Sequence, residues 1–285
     1  MIVPAQLCKF YQQACEVELQ AFKPGNVSVY ADGHGMTVED FRLSYQVSGS
    51  PLCNPNYDLG EKIYYAVKAT HEAVGCNTNL GIILLCAPLI QAVGLLKPGM
   101  ALRQALQIVL DNTTLSDANW VFKAIALASP GGLGKSDQQD VHEEASMTLL
   151  AAMNLASAKD RVAFQYVTSY RDIFDFSLYV YYNARCKWGG QDWAAVKVYA
   201  DLLTQVPDSH VERKYGHQYT EMLVNKMTRL SKALSEADNV EEIFPMLYGI
   251  DQELKSVDVN PGTTADLTVV TVFTSLLEDF IAKSS

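Results

Sequence analysis

Apolar residues recur at intervals of three and four along nearly the whole chain, the spacing that collects them on one face of an α-helix. Leu7, Phe10, Tyr11, Ala14, Val17 and Ala21 form such a face, and Lys23-Pro24-Gly25 then supplies a stop. A second helix is predicted from Thr37, where Thr37-x-x-Asp40 has the form of a capping box ahead of Phe41. The same periodicity predicts helices over about 59–73, 80–93, 100–110, 117–128, 138–158, 160–183, 192–205, 215–235, 240–257 and 262–282. Strict apolar–polar alternation flanked by Asn-Gly or Asp-Gly turns is missing, so the pattern predicts an all-α fold.

The breaks between these helices carry the chemically interesting residues. They fall at Lys23 to Asn26, Gly75 to Asn79, Pro130 to Gly134, Pro207 to His210 and Asn260 to Thr264. None is a long polar linker, and neither a composition shift nor an internal repeat divides the chain, so 1–285 reads as a single compact multi-helix domain. The Gly-rich stretch 130–136 reads as a mobile loop that could serve as a lid. The most apolar stretch, Leu80 to Leu96, is interrupted by Pro88, Gln91 and two glycines and falls short of the roughly 20 residues that span a bilayer. It is expected to be a buried core helix.

Composition narrows the function classes. With 22 basic against 32 acidic residues and a net charge of −10, the chain lacks the basic footprint of a nucleic-acid binder. A phosphorylated ligand would therefore need a divalent cation between its own charges and the carboxylates, as Mg²⁺ commonly provides. The six cysteines form neither a Cys-x-x-Cys pair nor a zinc spacing with the five histidines, and most are expected to be reduced, buried residues of a cytoplasmic protein. The first twenty residues have no basic start followed by an apolar block, so no signal peptide is expected.

Asn260-Pro261-Gly262-Thr263-Thr264-Ala265-Asp266 reads as a helix start: Asn caps, Pro suits the first position, and small residues leave backbone N–H groups open to phosphate. The same spacing also describes an ordinary capped helix, which is commoner. Asp266, one turn further in among Leu267, Val269, Val270 and Val272, could hold a metal beside the phosphates. Asn77, Thr78 and Asn79 precede the most apolar helix and either cap it or face a ligand. Asp137, Asp140, Glu143 and Glu144 cluster where a long helix is predicted to begin. The i, i+4 spacing of Asp140 and Glu144 would put two candidate metal ligands on one face, or simply suit the helix dipole. Arg213, Lys214 and His217 are the best phosphate contacts in a chain with few cations, unless they belong to a solvated turn.

In order along the chain, Lys23 to Val27, Asn77 to Gly81, Asp140-Val141, Asp208 to Gly216 and Pro261 to Leu267 resemble the motifs of the triphosphoribosyl-dephospho-CoA synthase family. Its pattern is similar to Lys-Pro-Gly-Asn-Val, Asn-Thr-His-Lys-Gly, an Asp-Val segment, an Asp-containing loop with Arg, and Pro-Gly-Gly-Ser-Ala-Asp-Leu. The resemblance implies transfer of the triphosphoribosyl part of ATP to dephospho-CoA or a related coenzyme precursor, with release of adenine. It further implies that Asp140, Asp208 and Asp266 supply acid/base or metal-binding carboxylates, with Asp140, Glu144 and Asp266 the Mg²⁺ candidates. Lys23, Gly25, Asn26, Asn77, Thr78, Asn79, His210, Arg213, Lys214, Gly262, Thr263 and Thr264 would then contact substrate or phosphate.

Two positions depart from that pattern. Asn79-Leu80 stands in place of His-Lys, and Thr263-Thr264 in place of Gly-Ser. These departures resemble a branch found in archaea and methylotrophic bacteria and associated with methanopterin- and methanofuran-linked one-carbon metabolism. The same carboxylates would also serve a magnesium-dependent N-glycosidase acting on ADP-ribose-like compounds, and loss of the His-Lys pair would suit a nucleotide-binding protein without catalysis. The expected partners are small molecules, with no nucleic acid and no membrane, and an apolar helical surface leaves room for a homodimer.

Overall fold

The structure, a computed structural model, describes residues 2–130 and 140–284. The element order among these residues is α1 Pro4–Gln20, α2 Val38–Leu52, α3 Leu59–Val74, α4 Leu80–Val93, α5 Leu102–Asp111, α6 Leu115–Ala128, α7 Leu149–Ala156, α8 Arg161–Val167, a π-helical turn at Ile173–Ser177, α9 Leu178–Trp188, α10 Gln191–Gln205, α11 Ser209–Tyr215, α12 Thr220–Glu236, a 3₁₀ turn at Val240–Ile243, α13 Phe244–Ser256 and α14 Gly262–Ser284. The expected all-α class holds: no strand forms among the described residues, where only the isolated bridges Ser28 to Ala31 and Gly33 to Met36 interrupt helix and loop.

Two helices organise the rest. Helix α4 is apolar all round, and Ile83, Leu85, Cys86, Ala87, Leu89 and Ala92 are wholly inaccessible, as expected of a helix surrounded by others. Pro88 has no N–H to give the carbonyl of Leu84 one turn back, a gap that would leave a buried acceptor unpaired. Tyr166 fills it by donating its hydroxyl to Leu84 O at 2.6 Å, and Tyr170 donates to Leu85 O at 2.8 Å. Helix α14 packs against α1, α4, α9 and α10. Its buried Thr268, Thr271 and Thr274 turn their hydroxyls back to carbonyls of Thr264, Leu267 and Val270, which lets polar side chains sit inside an apolar bundle.

Several expectations hold locally. Thr37 and Asp40 form a reciprocal capping box, Leu80–Val93 is a buried helix, and among the described residues no helix is long and apolar enough to cross a membrane. Cys15, Cys53 and Cys86 are buried, Cys8 and Cys76 are half-buried, and Cys186 is exposed.

Others need correction. The long helix expected over 138–158 is reduced to Leu149–Ala156. Residues 140–148 form turns in which Asp140 accepts from the N–H of His142 at 3.0 Å, so Asp140 and Glu144 do not share a helix face. The expected helix over 160–183 breaks after Val167, where Ser169 and Tyr170 adopt φ of 49° and 58°. Its seed was a continuous apolar period without Gly or Pro, and Tyr170 overrides that local preference by reaching Leu85. The expected 215–235 helix is α12, which begins only at Thr220, and the short α11 ahead of it was not expected. The remaining residues of the Gly-rich loop, 131–136, and Asp137 lie outside the described residues.

Candidate active site

Asp208 joins two helix starts. It is the N-cap of α11, with Oδ1 accepting from Val211 N at 3.0 Å, while Oδ2 accepts from both the N–H and the hydroxyl of Thr264 at 2.8 Å. The first turn of α14 is thus met by a carboxylate of the chain itself, the charge that such a helix end attracts. Thr263 completes the seam: its hydroxyl lies 3.0 Å from Ser209 Oγ and accepts from His210 N at 3.1 Å. The hydroxyls of Thr263 and Thr264, expected on phosphate, are used here to dock α11 on α14.

The Lys23 to Asn26 loop is tied to the same end. Gly25 has φ of 85°, the left-handed region that suits glycine, and a side chain there would strike Val259 O at 2.9 Å. Its N–H donates to Asp251 Oδ1 at 2.8 Å, and Asn26 donates to Asn260 Oδ1 at 2.7 Å, so the first and last motifs are in direct contact. Lys23 is 0% exposed. Its ammonium donates to Glu18 O and Val27 O, both at 2.9 Å, and to Ala21 O at 3.4 Å, and it pairs with Glu18 Oε1 at 3.1 Å. That coordination holds the loop closed around a buried charge, and no donor of Lys23 faces solvent.

Asp266 is different. It is half-buried, and among the described residues its carboxylate has neither a hydrogen bond nor an ion pair. Enclosure pushes its carboxyl well above the usual carboxylate range, and the neighbouring charges of Glu18 and Asp208 push it further. Its side chain lies against α4, where a β-carbon added to Gly81 would sit 2.0 Å from Asp266 Oδ2. Gly81 is therefore the space that admits this carboxylate, which brings the Asn77 to Gly81 motif against the Pro261 to Leu267 motif.

Arg213 pairs through Nη1 with Asp160 Oδ2, and its Nε is buried without a hydrogen-bond partner. Its positive charge is among those felt by Asp266. His210 packs its ring over Gly262, 3.6 Å from where a β-carbon would stand, and burial lowers its pKa so that the neutral imidazole is favoured. Beside this group, Cys15, Glu18, Leu19, Phe41, Tyr45, Asn79 and Ile82 line a small recess of about 10 Å³, room for about one water molecule.

Four of the five motif segments thus converge through named contacts. Lys214 sits at the margin, paired with Asp258 at 2.6 Å, and Thr78 donates to Ser44 Oγ at 2.5 Å while Asn77 accepts from Leu80 N at the start of α4. Asp140, with the exposed Glu144, belongs to the turns before α7. Among the described residues no group of three or more His, Cys, Asp or Glu could hold a metal. Glu18 and Asp160 are the residues the sequence reading passed over. Glu18 was detectable, since it lies seven residues after Tyr11 and three after Cys15 on the apolar face of α1.

Comparison with known proteins places the chain in a family. Residues 4–285 match the family described as CitG, ATP:dephospho-CoA triphosphoribosyl transferase. A crystal structure of a candidate triphosphoribosyl-dephospho-CoA synthase from Archaeoglobus fulgidus is similar, with a TM-score of 0.65 over 82% of this chain and 96% of its own; at 22% identity this is a likeness of fold. No curated protein matches the chain significantly. With nearly its whole length matched, the chain belongs to the ATP:dephospho-CoA triphosphoribosyl transferase family and is an enzyme of the transferase class.

Proposed function

We propose that this enzyme breaks the bond between ribose and adenine in ATP, releases adenine, and passes the triphosphoribosyl group to a hydroxyl of dephospho-CoA or a closely related coenzyme precursor. The observation that carries the reading is Asp266: a half-buried carboxylate with no partner of its own among the described residues, admitted by Gly81 and within reach of the charges of Glu18 and Arg213. A fold gains nothing from such a group, whereas positive charge developing on a ribose ring, or a cation bound to phosphates, would be stabilised by it.

Mg²⁺ fits this donor set. The ion takes one or two carboxylates and completes its shell with substrate phosphates and water, so a cage of three protein ligands is not required. Asp266 is the acid here with unspent lone pairs, and it would hold the ion, whose role is to neutralise the triphosphate within an acidic protein. Arg213, with an unused buried Nε, is the cation nearest this task, and Asp208 fixes the frame on which both act. The Asn79-Leu80 and Thr263-Thr264 departures are what support an acceptor other than dephospho-CoA itself, and with it a cytoplasmic role in one-carbon coenzyme metabolism.

Chromatography of base release tests the reaction. With ATP, Mg²⁺ and dephospho-CoA or related acceptors, adenine should appear in proportion to acceptor; adenine formed equally without acceptor would instead indicate hydrolysis. Calorimetry tests the site, because Asp266→Asn should lose most Mg²⁺-dependent ATP binding while remaining folded. Unchanged binding in that variant would remove Asp266 from the site.

A further inference from the structure

Arg213 stands on α11, and its position is set from another helix. Asp160 is the N-cap of α8: Oδ1 accepts from Ala163 N at 3.0 Å, and Oδ2 pairs with Nη1 of Arg213. The next residue makes a second attachment, since Arg161 N donates to Ser209 Oγ at 3.1 Å. Ser209 and Arg213 are four residues apart on α11, which puts both contacts on one face of that helix. The start of α8 is held in turn by Arg161, whose Nε and Nη2 reach the two oxygens of Asp172 at 2.6 and 2.7 Å. Arg213 is therefore gripped by a fixed point.

The two arginines are used differently. Arg161 commits the fork formed by Nε and Nη2 to one carboxylate, the bidentate geometry in which a guanidinium matches an oxyanion. Arg213 is held by Nη1 instead, and the corresponding fork is left over: Nε is buried without a hydrogen-bond partner, and Nη2 donates to nothing among the described residues. An enclosed N–H without an acceptor is costly. If joining α8 to α11 were the whole purpose, the bidentate arrangement of Arg161 would serve it better. Asp266 feels the charges of both Arg213 and Asp160, so the pair stands at the candidate site.

We infer that Asp160 is a positioning residue: it grips Arg213 by Nη1 and so presents Nε and Nη2 as a fork to two oxygens of one phosphoryl group of the nucleotide. The inference rests on the reading that the site receives a triphosphate, and it names the group that orients the cation. Asp160 acts through Arg213 and touches no substrate itself. Its carboxylate also offsets the guanidinium charge while the site is empty, and the single grip leaves the bidentate edge to the ligand.

The test uses inorganic triphosphate with Mg²⁺ as the probe of the phosphate half, read by calorimetry beside thermal midpoints. Asp160→Ser keeps a hydroxyl to cap α8 but is too short to hold Arg213. Arg213→Lys keeps the charge and loses the fork. Each should weaken triphosphate binding by about tenfold or more, the worth of one hydrogen bond to a charged group. Each should also raise KM for ATP more than it lowers kcat. The double variant should bind no more weakly than Arg213→Lys alone, because the two residues act as one unit. Asp160→Asn, which keeps the volume and the cap, serves where Asp160→Ser does not fold. Unchanged triphosphate binding in a folded Asp160 variant overturns the inference, even with a lowered thermal midpoint, and so do losses that multiply in the double variant. Wild-type protein that binds triphosphate but releases no adenine from ATP sinks the proposed reaction and leaves the fork standing. Wild-type protein that binds no triphosphate overturns the fork.

Discussion

Asp208→Ala separates a structural from a chemical role for the most heavily bonded acid in this protein. Asp208 is 3% exposed and accepts three hydrogen bonds, from Val211 N, Thr264 N and Thr264 Oγ1. Loss of the N-cap costs about 1 kcal/mol. Each bond from Thr264 to the carboxylate contributes about 1.5–3 kcal/mol, and Thr264, 1% exposed, would be left with a buried N–H that no water can reach. The Thr264 hydroxyl can turn back to a carbonyl and recover part of this loss. Since these contributions overlap, the sum is about 4 kcal/mol, about a quarter or more of the stability of an ordinary domain. For a chain of this length each kcal/mol is about 2 °C, so the thermal midpoint should fall by about 8 °C. Asp208→Asn should cost about half as much, because its Oδ1 still caps α11 while its amide opposes the Thr264 N–H. Urea denaturation followed by circular dichroism measures both variants. A loss below about 1 kcal/mol for Asp208→Ala would refute the clamp and return Asp208 to the set of acids free for chemistry.

Two further outcomes follow from the buried and surface charges around the Lys23 to Asn26 loop. Lys23→Met removes the cation from four oxygens and leaves Glu18 buried without its partner, so stability should drop by about 3–5 kcal/mol in the same denaturation assay; a neutral result would mean that Glu18 can reach water. Asp258 has a pKa lowered to about 2, chiefly through its bonds with Lys214 and His34, so it stabilises the fold above the ordinary carboxylate range, and that contribution disappears as pH falls from about 4 towards 2. Its side chain is 59% exposed, so Asp258→Asn should cost under about 1 kcal/mol near pH 6. Asn also tolerates the φ of 55° at this position. The gap between variant and wild type should close near pH 2 in a pH series of thermal midpoints, and a gap independent of pH would deny the charge interaction.

Helices were legible where periodicity ran for three turns or more, and site segments where Gly, Pro and Asn broke it. What stayed hidden depends on partners distant in sequence. Helix α11 has seven residues, too few for a period to declare itself, and exists because Asp208 caps it while Thr263 and Thr264 hold its first turn. The break at Ser169 and Tyr170 carries no local breaker and answers to the carbonyl of Leu85, 85 residues away from Tyr170. Asp140 and Glu144 matched a helical spacing that no helix realises. Lys23 looked like a phosphate ligand because it stands in a motif beside Pro and Gly, and only the folded loop reveals three carbonyls converging on its ammonium.

Asp208 and Asp266 illustrate how one arrangement of motifs divides its acids between architecture and chemistry. Both lie near the first turns of α14, and both would look alike in sequence as an Asp after a break. Asp208 commits both oxygens to backbone and hydroxyl donors, and its charge answers two helix ends. Asp266 commits neither, sits beside the charges of Glu18 and Asp208, and needs a glycine on the facing helix to exist at all. Folding alone would favour an apolar residue there, since a half-buried carboxylate without a donor costs free energy. On the reading proposed above, a group that the fold pays to keep, facing Gly81 next to an arginine with an unused N–H, would find its compensating interactions outside the chain, in a cation or a positively polarised ring.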